Sequence, residues 1–239
     1  MKDKKGLIVV ATNNGMDYIE KCISKYMQFK NNEDILIVDT GSSDIDYINY
    51  TKELCSRYKI QWDQTKEPRY DYGAYIHAFE NYKYNYYIFH HDSIMVKRDD
   101  TILNLKNILY NENYDCVSFL SFHNTVCMFG TLAEKEFCQN NFNSSFYEYG
   151  IYGPNFIIKY DSLKLLYEKY KLNSVVVDNK SKQMAMERGW AIMLTNEKLK
   201  YKSIEEFTAG ETQLDGYWKL FNDGFNYFTK IKHKNGYRN

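Results

Sequence analysis

Two apolar runs in this chain each end in a short polar loop whose side chains suit nucleotide and cation chemistry. Ile35–Val38 leads into Asp39-Thr40-Gly41-Ser42-Ser43-Asp44, and Tyr86–Phe89 leads into His90-His91-Asp92-Ser93. A buried parallel strand reads as a continuous apolar run. Ligands of open α/β sheets bind beyond the carboxyl ends of such strands. A carboxylate there can accept hydrogen bonds from a base N–H or a ribose hydroxyl, as Asp39 could, with Gly41 permitting the turn and close backbone approach. A carboxylate there can also hold a hard divalent cation, as Asp92 could. A departing diphosphate needs its charge neutralised, which Mg²⁺ or Mn²⁺ supplies as a Lewis acid. Mn²⁺ also accepts imidazole, and His90 and His91 join the residues expected to hold the nucleotide sugar.

Other residues could join such a site. In the polar stretch Glu67–Gly73, Arg69 offers a planar fork for phosphate, while Asp71 either caps the helix that follows or touches the base. Tyr149–Phe156, an aromatic loop kinked by Gly150 and Gly153, suits either a sugar face or a core-packing turn. The segment Thr229–Asn239 holds Lys230, Lys232, His233, Lys234 and Arg238 with no acidic side chain. Such a tail could fold over a diphosphate, with Lys232 or His233 reaching it and His233 joining Asp92 as a metal ligand.

The elements that must position these residues follow from apolar spacing. Leu7–Ala11, Ile35–Val38, Ile60–Trp62 and Tyr86–Phe89 read as strands. Helices are expected over Asp17–Phe29, after an N-cap at Ser43, and along the Tyr72, Tyr75, Ile76, Phe79 stripe. This strand–helix alternation predicts a mainly parallel central sheet flanked by helices, with Thr12, Asp39 and Asp92 on one edge. The second half reads as a helix near Thr101–Tyr110, a strand Cys116–Phe122, a loop-rich stretch from Asn140 to Pro154, a strand Asn155–Ile158 and a helix Ser162–Tyr170. A helix Ser181–Arg188 then stops at Gly189, before a strand Trp190–Leu194. Neither a repeat nor a linker divides the 239 residues, so one domain is expected: a nucleotide-binding half over 1–100 and an acceptor half over 101–239.

Lys+Arg and Asp+Glu are balanced at 31 each, which argues against a nucleic-acid or membrane surface. No stretch is long and apolar enough for a membrane span. Five scattered cysteines without a CxxC pair fit reduced core thiols in a cytoplasmic protein rather than a zinc site. The 24 tyrosines beside only 2 prolines fit a Lys/Asn/Tyr/Ile-biased composition better than a set of sugar-stacking platforms.

Val9-Val10-Ala11-Thr12-Asn13-Asn14, the Asp39–Asp44 loop, the helix start Tyr72-Gly73-Ala74 and the His90-His91-Asp92 strand end together resemble the GT-A fold glycosyltransferases, especially family 2. The resemblance covers residues 6–100 well and the rest loosely. It implies that Thr12, Asn13 and Asp39 hold the base and ribose, that Gly73 lies beside the nucleotide, and that Asp92 binds metal and diphosphate. It implies a nucleotide-sugar donor, UDP-linked by family default, a glycan or other hydroxyl acceptor, and inversion at the anomeric carbon. It also implies a catalytic acid on a helix after the acceptor loop. Glu187 is that candidate, with Asp178 its rival. Glu187 would lie in a helix's last turn, where the dipole nudges its pKa upward, the direction a general base needs. The sequence departs from the family at the DxD motif, where His90-x-Asp92 keeps only the second acid and His90 is the local substitute for the first. A non-catalytic nucleotide- or carbohydrate-binding protein and a nucleotidyltransferase are the alternatives. Thr12-Asn13-Asn14-Gly15 lacks the basic residues the latter needs, and a dehydrogenase is disfavoured because no GxGxxG follows the first strand.

Overall fold

The computed structural model describes residues 4–16, 18–65, 70–123, 131–206, 218 and 222–231. Its centre is a sheet with strand order β3-β2-β1-β4-β8-β6-β7, with β9 on the other side of β6. β1 (Gly6–Thr12), β2 (Asp34–Asp39), β3 (Gln61–Gln64) and β4 (Tyr86–His91) run parallel. Leu7–Val10 and Tyr86–His90 are fully buried, as strands covered on both faces must be. Thr12 pairs with Asp39 across β1 and β2, and Ala11 with His91 across β1 and β4. The register therefore brings Thr12, Asp39 and Asp92 to one edge, as the sequence predicts.

β8 (Phe156–Lys159) is antiparallel to β4 and to β6 (Cys116–His123), and β6 carries the short β7 (Tyr149–Ile151) and β9 (Tyr201–Glu206). α1 (Ile19–Phe29) packs on the β4 face bearing His90, with the Tyr26 ring edge-on to the imidazole at 5.2 Å. α3 (Tyr70–Asn81) covers the other face, where Tyr75 stacks on Phe89 at 4.4 Å. Between β2 and β3 lies α2 (Ile45–Tyr58). Its cap is Asp44, which accepts from the amides of Asp46 and Tyr47, one residue later than the Ser43 cap expected.

The second half departs further from the sequence reading. α4 (Thr101–Tyr110) and α6 (Tyr160–Tyr170) form near the expected positions. α5 (Leu132–Phe142) and β7 occupy part of the stretch read as loop. The largest correction is α7, which runs unbroken over Lys180–Asn196 and absorbs both the Gly189 stop and the Trp190–Leu194 strand. Trp190–Leu194 is buried all round, and a short, wholly apolar run has no period with which to declare itself helical. Gly189 serves packing rather than termination, because a Cβ there would sit 2.5 Å from the Phe142 ring. The final described strand, β10 (Phe228–Lys230), pairs with β5 (Ile94–Val96) just beyond Asp92. Cys22, Cys55, Cys116 and Cys138 are buried free thiols.

At the opposite end of the sheet, Glu33 is fully buried and meets Lys106 Nζ at 2.7 Å and the Tyr86 hydroxyl at 2.6 Å. Burial alone would raise its carboxyl, but Lys106, Tyr86 and the Asn31 amide together hold it below the ordinary value. The depressed folded pKa makes this contribution fully present above the ordinary carboxylate range and lost as pH falls below it. Lys106→Met strands a buried carboxylate and is expected to cost about 3–5 kcal/mol in urea unfolding at pH 7. The deficit should narrow as pH falls through the Glu33 range; a variant as stable as the parent at pH 7 would show that the pair does not anchor this end.

Candidate active site

The first wall of the site is made by the loops after β1 and β2. Asp39 turns one oxygen inward, Oδ1 accepting from the amides of Gly41 and Ser42 at 2.9 and 2.8 Å. Gly41 takes a left-handed φ of 90°, which this turn requires. Asp39 Oδ2 is buried without a hydrogen-bond partner among the described residues, a state that calls for a donor from outside. The two loops are sewn together by Asn13 Nδ2 to Thr40 O at 3.1 Å, Asn14 N to Ser42 Oγ at 2.9 Å and Asp44 N to Asn14 Oδ1 at 3.2 Å.

Asp92 stands beside them. Its Oδ2 accepts from the Thr12 hydroxyl, which in turn meets the Tyr47 hydroxyl. Gly15 leaves the space this needs, since a Cβ there would lie 2.1 Å from Asp92 Oδ2. Burial pushes the Asp92 carboxyl up to about 7; the Thr12 hydrogen bond opposes that rise and the Asp39 charge adds to it. A cation would relieve both burial and repulsion, and the donors present are the hard oxygens that Mg²⁺ and Mn²⁺ take. Among the described residues no three His, Cys, Asp or Glu side chains form a ready-made cage. The remaining positions would therefore fall to phosphate oxygens and water, as is usual for Mg²⁺ at phosphate sites.

The two histidine rings lie 6.1 Å apart with planes inclined by 24°, but their surroundings differ. His90 is fully buried against Cys22, Tyr26 and Phe119, and burial pushes its imidazole down to about 3. It is a core residue, and the structure does not bring it together with the carboxylates. His91 is only half-buried. Its Nδ1 meets Ser93 Oγ at 2.8 Å, and its Nε2 lies 2.8 Å from where a Gly153 Cβ would be. Burial first, then the neighbouring Lys230, His90 and Lys180, push it well below its ordinary value. Asn155 ties this strand end to the aromatic loop, accepting from His91 N at 3.1 Å and donating to Tyr152 O at 3.3 Å.

The second wall comes from α3 and α7. Lys180, Gln183 and Glu187 follow helical spacing and share one face of α7. Lys180 Nζ donates to Gln183 Oε1 at 2.8 Å, and Gln183 Nε2 to Asp71 Oδ1 at 3.2 Å. Glu187 Oε1 accepts from Gly153 N at 3.2 Å, and its Oε2 lies 3.9 Å from Arg188 Nη1; Asp71 Oδ2 and Glu187 Oε2 have no hydrogen-bond partner among the described residues. Burial raises both carboxyls, opposed at Asp71 by the Lys180 charge and at Glu187 first by Arg188 and then by Lys180. The expected cause at Glu187 is thereby corrected: it sits mid-helix, where the dipole has no end to act from, and desolvation lifts its pKa. Lys230, carried in by β10, is pushed down to about 8 by burial and by Lys180, against the pull of Glu187.

Asp178 lies elsewhere, exposed ahead of α7 and 2.9 Å from Lys182, whose hydrogen bond holds its carboxyl below the ordinary value. Gly73 is buried in the first turns of α3. Arg69 and His233 lie outside the described residues. Sequence reasoning missed Tyr47, Lys180, Gln183, Asn155 and a defined place for Lys230; only the Lys180–Gln183–Glu187 spacing carried a usable signal. Two surface grooves, about 420 Å³ beside α1 and about 360 Å³ between α5 and the start of α7, are lined by none of the site carboxylates.

No protein-family model matches this sequence, and no curated protein matches it. Solved structures do match its fold. A mannosyltransferase from Pyrobaculum calidifontis, in complex with GDP-Man and Mn²⁺, aligns at TM-score 0.52 and 13% identity over 91% of this chain and 60% of its own. Glucosyl-3-phosphoglycerate synthase from Mycobacterium tuberculosis, with Mn²⁺, UDP and phosphoglyceric acid, aligns at TM-score 0.52 and 12% identity over 81% of this chain and 78% of its own. S. aureus TarS (1–349) aligns at TM-score 0.51 and 12% identity over 91% and 63%. The fold is that of the GT-A glycosyltransferases. The chain spans less than two thirds of the mannosyltransferase and TarS chains, so the GT-A likeness speaks to the fold. Among the described residues no helix is long and apolar enough to cross a membrane.

Proposed function

We propose that this protein is a glycosyltransferase that moves a sugar from a nucleoside-diphosphate donor, UDP-linked, to a hydroxyl acceptor with inversion and divalent-cation assistance. The observation that carries this reading is the set of carboxylates made by buried Asp39, Asp71 and Asp92 with partly buried Glu187, of which Asp39, Asp71 and Glu187 each keep an oxygen without a hydrogen-bond partner among the described residues. The complexes of the fold neighbours, with GDP-Man and Mn²⁺ in one and UDP and Mn²⁺ in another, support it.

Asp39 takes the ribose or base, with Thr12 and Asn13 shaping the loop around it. Asp92 would hold the cation, which when bound would supply Lewis-acid neutralisation of diphosphate charge. Glu187 Oε2 takes the proton of the acceptor hydroxyl. The acceptor oxygen bonds to the anomeric carbon from the face opposite the diphosphate, and the bond from carbon to the diphosphate oxygen breaks with its electron pair leaving on the phosphate. Lys230 and His91 lie on the Glu187 side and shape the charge the acceptor meets.

Thermal melting with UDP, GDP, UDP-glucose and GDP-mannose, each with and without Mn²⁺, tests the donor class. A ligand at a hundredfold excess over Kd should stabilise the fold by about 2.7 kcal/mol, and the absence of a shift with every one would reject the nucleotide reading. One observation favours a second reading, binding without transfer: His90 replaces the first DxD acid and is buried in the core. Release of free sugar from a bound donor, or its transfer, separates the two.

A further inference from the structure

Tyr47 is fully buried, yet its hydroxyl reaches the site through Thr12. The Thr12 hydroxyl has one hydrogen and gives it to Asp92 Oδ2. The Tyr47 hydroxyl must therefore be the donor to Thr12 Oγ1, which makes a directed chain from Tyr47 through Thr12 to the carboxylate. Each member comes from a different element: Tyr47 from the first turn of α2, Thr12 from the end of β1, and Asp92 from beyond β4. Geometry closes the other side of the same oxygen, because Gly15 backs directly onto Asp92 Oδ2. The carboxylate therefore has its orientation set from within the protein.

We propose that Tyr47 is a positioning residue for the cation, holding the Asp92 carboxylate through Thr12 in the orientation that binds metal. This rests on the assignment of Asp92 as metal ligand. Tyr47 touches neither the cation nor the donor and acts only by orienting a group that does. Hydrogen-bond partners behind a metal ligand commonly matter 10–100-fold to metal affinity, and no signal in local sequence joins residues so far apart in the chain.

The test is Mn²⁺ affinity, measured by calorimetry on the full chain with saturating UDP. Tyr47→Phe keeps the ring in its core position and removes only the hydroxyl; it should weaken Mn²⁺ binding about 10–100-fold. Thr12→Val should weaken it at least as much, while Thr12→Ser, which keeps the hydroxyl, should restore it. Adding Tyr47→Phe to Thr12→Val should cost nothing further, because the chain is already broken. Unchanged Mn²⁺ affinity in Tyr47→Phe, or Thr12→Ser as weak as Thr12→Val, overturns the proposal while leaving Asp92 a ligand. If Tyr47→Phe does not fold, the Thr12 pair decides alone. Unchanged Mn²⁺ affinity in Asp92→Asn would instead remove the metal assignment itself, and the proposal with it.

Discussion

Glu187→Gln is expected to lower turnover by about 10²–10⁴-fold, the range general-base catalysis supplies. That corresponds to roughly 2.7–5.4 kcal/mol of transition-state stabilisation. Glutamine keeps the size of the side chain and an acceptor for the Gly153 amide, but it cannot take a proton from the acceptor hydroxyl. Donor affinity should hardly change, because the ribose and diphosphate are assigned to the Asp39 and Asp92 side. Burial raises the Glu187 carboxyl above its ordinary value, so kcat/KM should climb with pH through that raised pKa, and the variant should lose this limb. The linkage sign gives a second readout. A carboxyl with a raised folded pKa favours the fold most at low pH and loses that contribution as pH rises from the ordinary glutamate range through the folded value. Above that window Glu187→Gln should melt no lower than the parent, the usual trade between a poised site and stability. A glutamine variant with normal turnover would strip Glu187 of the role.

What the sequence disclosed and what it withheld divide along physical lines. β1, β2 and β4 were legible because strands buried on both faces must be continuously apolar, and their polar ends then mark the site edge. α7 was not, because Trp190–Leu194 is apolar all round and carries no helical period. Ending the helix at Gly189 made the expectation for Glu187 right in direction and wrong in cause. β5, β7 and β10 are three residues each, too short to show alternation, and the half-buried β9, Tyr-Lys-Ser-Ile-Glu-Glu, reads as a solvated segment. His90 and His91 are indistinguishable by type; only tertiary packing buries His90 against Cys22, Tyr26 and Phe119 and sets His91 beside Gly153. The Tyr47–Thr12–Asp92 chain and the Lys180–Gln183–Asp71 chain are tertiary facts. They depend on register and helix placement, and composition or spacing cannot announce them.

Asp92→Asn should abolish the Mn²⁺-dependent part of UDP binding while leaving the protein folded. Asparagine matches the shape of aspartate, and its amide oxygen can still accept from Thr12, so the packing against Gly15 and the end of β1 should survive. What disappears is the negative oxygen donor a hard cation requires. Asp39 is not expected to take its place, since Oδ1 is committed to the amides of Gly41 and Ser42 and Oδ2 is assigned to the nucleoside. The parent, with UDP and Mn²⁺ at a hundredfold excess over Kd, should gain about 2.7 kcal/mol, or roughly 5–10 °C in Tm for a chain of this size. In Asp92→Asn, adding Mn²⁺ to UDP should give no increment over UDP alone, and the Tm without ligand should stay within a few degrees of the parent. A full Mn²⁺ increment in the variant would make Asp92 a structural residue of the loop junction. The cation would then have to be sought elsewhere along the same sheet edge.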